Sequence, residues 1–170
     1  MNNMTRRVII IKWIAYLIAL GLAAVVNFYV LGPLPIPLPL MLPVLAVAGG
    51  TLEGPRFGAL YGILCGAVQS GLGNQNAGCI AALALFGWAA GLTTQYALRR
   101  DVWGHLICSL AALALWDGWA VGIRYLRHVA PLEILLRVAV PELLCSLAFI
   151  LPVYWAGRFC CIHYGRIYHE

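Results

Sequence analysis

The chain has 170 residues, 63% of them hydrophobic and 10% charged, with a net charge of +5 and a mean hydropathy of +0.89. A soluble domain carries about 25% charged residues, so composition excludes water as the main solvent. One bilayer crossing takes roughly 20 apolar residues, so this length holds about six crossings in a single transmembrane domain, 1–170, with no room for a soluble domain beside it.

The charges are placed rather than scattered. Arg6, Arg7 and Lys12 precede or enter the first apolar run, Arg99 and Arg100 follow the fourth, and Arg158 and Arg166 follow the last. Basic clusters of this kind mark the cytoplasmic side, which predicts both ends inside, with Arg124 and Arg127 as exceptions outside. The positive balance is thus accounted for by topology and by attraction to an anionic bilayer, and no basic patch is left over for nucleic acid. Six cysteines sit in apolar runs without paired ligand spacing, so no metal or cofactor is expected.

In chain order, the first helix is predicted over 8–31 and carries Ala15, Ala19 and Ala23 at four-residue spacing. Prolines at positions 33, 35, 37, 39 and 43 then exclude a helix interior, so this stretch is extended or irregular and the second helix is short, 40–53. Glu53-Gly54-Pro55-Arg56 reads as a turn, with Pro55 opening a third helix, 55–72. Gly54, Gly58, Gly62 and Gly66 recur every fourth residue and Ser70 continues the series, leaving one helix face nearly bare for close approach of another helix or of a partner. An uncharged polar loop, 71–78, with Asn74, Gln75 and Asn76, leads to a fourth helix, 79–98, with Gly87 and Gly91 four apart. The fifth helix, 102–123, carries Gly118 and Gly122. The sixth, 132–155, contains Pro141 and Pro152, which predict kinks.

Ionisable groups inside spans are costly and are functional candidates by default. Asp117 lies about 10 Å from the outer end of the fifth helix at 1.5 Å per residue, and Arg137 is about as deep in the sixth, so the two are expected to pair. Glu142, beside Pro141, is nearer the midplane with no cation at its depth, and is expected to hydrogen-bond a carbonyl that the proline frees. His105 reads as a polar anchor near the inner interface, and Trp116 and Trp119 flank Asp117 as candidate pocket walls. The chain has no serine–histidine–acid set, no histidine–glutamate metal motif and no phosphate loop after a strand, so it is not expected to be an enzyme.

The stretch 39–66, in which Pro39 and Pro43 lead through Gly49-Gly50 to Gly54-Pro55 and the glycines 58, 62 and 66, resembles the rod shape-determining family MreD. So does the ending from Pro141 through Leu151-Pro152-Val153-Tyr154 to a basic tail. The chain differs from many of that family in carrying Gln69-Ser70 where they have an acidic residue. The resemblance implies an all-α, polytopic protein with an S-component-like bundle in the bacterial inner membrane. It would act as a non-enzymatic scaffold of cell elongation and peptidoglycan synthesis, binding MreC and, indirectly, MreB and the peptidoglycan synthases. The family's kinship with S components of energy-coupling-factor vitamin transporters implies an alternative. There, Ala15, Ala19 and Ala23 would dock a transporter partner, and Gln69, Asn74, Gln75, Asn76 and Asp117 would supply a vitamin pocket.

Overall fold

The computed structural model describes residues 3–32, 40–73, 76–98, 101–126 and 132–164. The proline-rich stretch 33–39, Asn74, Gln75, Arg99, Arg100, Arg127 and Arg166 lie outside the described residues. The protein is an all-helical, polytopic membrane protein of six helices: α1 (Asn3–Val25, continued by a π-helical turn Val26–Val30), α2 (Met41–Glu53), α3 (Pro55–Leu72), α4 (Gly78–Tyr96), α5 (Val102–Leu126) and α6 (Leu132–Tyr164). Among the described residues, four segments are long and apolar enough to cross a membrane: Ile9–Val30, Gly78–Tyr96, Val102–Leu126 and Glu133–Phe159.

The helices overlap the apolar runs of the sequence, with α1 starting at Asn3 rather than 8, α5 running to Leu126 rather than 123, and the largest difference at the last helix. The apolar run ends near position 155, yet α6 continues to Tyr164, and it passes through Pro141 and Pro152 without ending. Each proline removes one backbone donor, a loss that the long uninterrupted helix on either side tolerates.

α2 has 13 residues, about 20 Å at 1.5 Å per residue, against a hydrocarbon core of about 30 Å. Pro43 is accommodated in its first turn. Every residue of α2 is buried, and the helix is packed against each of the other five. It is the hub of the bundle. At its carboxyl end Gly54 takes φ +113°, a conformation that disfavours any side chain, and its N–H closes on the Gly50 carbonyl at 3.0 Å. The chain then reverses directly into α3, whose first residue, Pro55, needs no N–H partner.

Close approach to the hub is built from glycine. A Cβ on Gly50 or Gly58 would collide with the Gly87 carbonyl oxygen, one on Gly62 with the Leu83 carbonyl, one on Gly66 with Ile80, and one on Gly91 with Pro55. The glycine series of α3, with Gly87 and Gly91, is therefore the seam that locks α3 onto α4 and α2. Gly54 serves the turn instead, and Ser70 is half-buried at the far end. Gly50, which lies outside the four-residue series, completes the junction. The Gly118–Gly122 spacing on α5 has no such use, because nothing lies within 4 Å of a Cβ at either position.

The core around α2 falls into three clusters. One joins Tyr16 and Leu20 of α1 to Leu42, Leu45, Phe57, Tyr61 and Leu83, with Trp13 stacked obliquely on Phe57 at 4.7 Å. A second joins Leu40 and Val44 to Leu113 and Ile150, and a third joins Val47 to Ala90, Cys108 and Ala112. The outer surface carries large apolar side chains such as Ile18, Leu22, Leu85, Leu115, Trp119 and Leu144, as a lipid-facing bundle requires.

Gly58→Ala and Gly62→Ala are each expected to lower stability by about 1–3 kcal/mol or more, because the added methyl meets backbone that cannot yield. Gly118→Ala is expected to be neutral or stabilising. Thermal unfolding in detergent reads both.

Candidate functional site

Two polar layers lie at opposite ends of α2. At its carboxyl end, Lys12 of α1 forms an ion pair with Glu53, and both side chains are almost wholly buried. The Tyr16 hydroxyl donates to the same Glu53 oxygen at 3.2 Å, and the Tyr61 hydroxyl donates to the Tyr16 carbonyl at 2.9 Å. Two residues back, Thr51 Oγ1 lies 3.0 Å from His105 Nδ1, and Ser109 Oγ is 3.4 Å from His105 Nε2. The His105 ring packs against Tyr154 at 5.2 Å, and Arg158 donates to the Tyr154 hydroxyl at 3.2 Å. α1 thus begins, and α6 ends, at the same end of the bundle.

This layer corrects three expectations. Lys12 does not lie at the membrane surface as a topological charge; it is 1% exposed and pairs with Glu53 across 41 residues of chain. Glu53, read as part of a turn, is the buried last residue of α2. His105 is not an interfacial anchor: it is buried between Thr51 and Ser109. The available signal was the position of Lys12 inside the apolar run, where an ionisable group ordinarily has a buried partner.

The opposite layer surrounds the amino end of α2. Ser146 Oγ of α6 accepts the Leu40 N–H at 2.8 Å and donates to the Glu142 carbonyl at 2.7 Å, so Glu142 stands beside this end. Leu40 packs with Leu113, Trp116 and Leu143, which brings Asp117 and Glu142 to the same level. Gly49 faces Tyr61 and Gly50 faces Gly58, and this antiparallel register sets Gln69 level with Leu40. The Gly73 N–H bonds the Gln69 carbonyl at 3.0 Å, and a Cβ on Gly73 would lie 3.3 Å from the Phe28 ring, so the π-helical turn holding Asn27 abuts the end of α3. Asn27, Gln69 and Asp117 are 6%, 6% and 7% exposed, and one oxygen of each has no hydrogen-bond partner among the described residues.

The expected Asp117–Arg137 pair does not form. Arg137 projects from an exposed face of α6, while Asp117 turns inward towards the helix hub. Glu142 is half-buried, and its carboxyl makes no hydrogen bond among the described residues, so the expected bond to a proline-freed carbonyl is also missing. Its backbone carbonyl joins the second layer through Ser146, and its carboxyl lies within Coulombic reach of Asp117. Trp116 is a packing residue, edge-on to Phe86 at 6.3 Å, and Trp119 is exposed. They do not wall a common pocket.

Ala15, Ala19 and Ala23 share a face of α1 and line an apolar groove of about 380 Å³, closed on its other side by Pro152, Ala156 and Gly157 of α6. Asn76 is exposed at the start of the turn into α4. Among the described residues no group of histidine, cysteine and acidic side chains is placed to hold a metal ion. No family model, curated protein or solved structure matches this chain.

Removing one member of a buried ion pair strands a charge in low dielectric. Lys12→Met or Glu53→Gln alone is therefore expected to cost about 3–5 kcal/mol, with the double variant recovering a large part of the loss. A double-mutant cycle on unfolding midpoints in detergent checks this, and simple additivity would contradict it.

Proposed function

We infer that the protein is a non-enzymatic scaffold of the MreD type in the bacterial inner membrane, with both termini cytoplasmic, and that it works by binding MreC within the cell-elongation machinery. The observation that carries this reading is the order of elements around the hub. A proline-rich approach leads to a 13-residue helix, a glycine–proline reversal and a glycine-laddered helix that locks the bundle. The glycine ladder is spent inside the bundle, so partner binding falls to the outer helix faces. These are broad and apolar, and they suit helix-to-helix contact in lipid. The placement of basic residues supports the cytoplasmic ends: the end of the bundle where α1 begins and α6 finishes bears the Arg158 side.

A second reading, an S component of an energy-coupling-factor transporter, draws support from the groove beside Ala15, Ala19 and Ala23. The two readings name different partners, and affinity purification from native membranes separates them. The scaffold reading expects co-purification with MreC, and loss of rod shape when the chain is depleted. Recovery of a transporter ATPase pair, with normal shape on depletion, would overturn it in favour of the transporter.

A further inference from the structure

The amino end of α2 holds a surplus of acceptors. Asn27 Oδ1, Gln69 Oε1 and Asp117 Oδ2 are each buried and unpartnered among the described residues, whereas the polar groups around the carboxyl end of α2 bond one another. A buried acceptor left unmade costs roughly 1–3 kcal/mol, so three on one level mark a place where something with donors or positive charge belongs. The surplus is also electrical. Asp117 and Glu142 lie within Coulombic reach of each other on adjacent helices. An ionised carboxyl here outweighs the roughly +0.5 of the α2 amino terminus and is an acceptor for a cation. Arg124, two turns along α5, is exposed and within Coulombic reach of both carboxyls, but it forms no ion pair with Asp117 among the described residues. The π-helical turn that carries Asn27 is a further local irregularity, of a kind frequent at functional sites.

We propose that the level of Asn27, Gln69, Asp117 and Glu142, around Leu40, is a binding site for a small cation, either a bare monovalent metal ion or the ammonium head of a small organic molecule. Intramembrane carboxyls that face the bundle interior commonly mark ion or substrate sites, and here buried amide oxygens of α1 and α3 lie unpartnered at the same level. The site is internal to one chain, so it stands independently of whether the protein binds MreC.

The test is thermal unfolding of the purified full chain in nanodiscs at fixed ionic strength, with N-methylglucamine replaced stepwise by sodium, potassium or methylammonium. The midpoint is expected to climb with the logarithm of the concentration of the preferred cation. A response to sodium or potassium assigns a metal ion, and one confined to methylammonium assigns an ammonium head. Asp117→Asn and, separately, Gln69→Met are expected to shift the concentration dependence by about tenfold or more. If Asp117→Asn does not fold, Gln69→Met and the wild-type titration decide. A midpoint indifferent to all three cations means that water fills the level, and overturns the proposal. So does a response unchanged in the folded variants.

Discussion

A helix too short to cross the bilayer occupies the centre of this protein, and the rest of the structure accommodates it. α2 is 13 residues long, wholly buried and packed against five neighbours. Both of its ends therefore stop in a low-dielectric interior, where helix termini are at their most demanding. The carboxyl end carries the negative pole of the helix together with the Glu53 carboxylate, and Lys12 supplies the opposing charge. The amino end carries the positive pole. Ser146 takes up the Leu40 N–H there, and Asp117 and Glu142 stand close by. The two polar layers are thus answers to one constraint. They differ in that the carboxyl-end layer is bonded throughout, whereas the amino-end layer retains free acceptors.

The glycine seam follows from the same constraint. A helix with five neighbours cannot be surrounded by ordinary side chains without pushing those neighbours apart. Gly50, Gly58 and Gly87 meet backbone to backbone, and Gly62, Gly66 and Gly91 extend the contact along α3 and α4. In lipid, association relies on such van der Waals contact because apolar surface gains little by leaving the hydrocarbon. With the seam consumed internally, the faces left uncovered are those of α1, α5 and α6, which include the Ala15–Ala19–Ala23 groove and the unused Gly118–Gly122 pair.

Helix number, order and most boundaries were legible because hydropathy, proline and glycine act locally. The short second helix and the Gly54–Pro55 reversal show in the proline and glycine pattern, whereas the four-residue glycine spacing marks a bare face without saying what covers it. Pairings were less legible because they depend on which faces meet. Lys12 and Glu53 are 41 residues apart, and each has an ordinary local explanation, one as a topological charge and the other as a turn residue. His105 looked interfacial by depth along its own helix, yet α2 ends beside it and covers it with Thr51. Asp117 and Arg137 match in depth but not in rotation about their helices, which periodicity alone does not resolve between two neighbours. Asn27 carried no signal, since its inward placement accompanies a π-helical turn.

The carboxyl end of α2 is closed by a buried cation from α1. Lys12 is the chain's one lysine, so its side-chain nitrogen can be labelled uniquely. Dipolar recoupling in bilayers between that nitrogen and labelled glutamate carboxyl carbon gives the separation directly. A strong contact at ion-pair distance, within about 4 Å, is expected, and it should disappear in Glu53→Gln. A lysine nitrogen remote from every glutamate carboxyl, or a contact that survives Glu53→Gln, would contradict it.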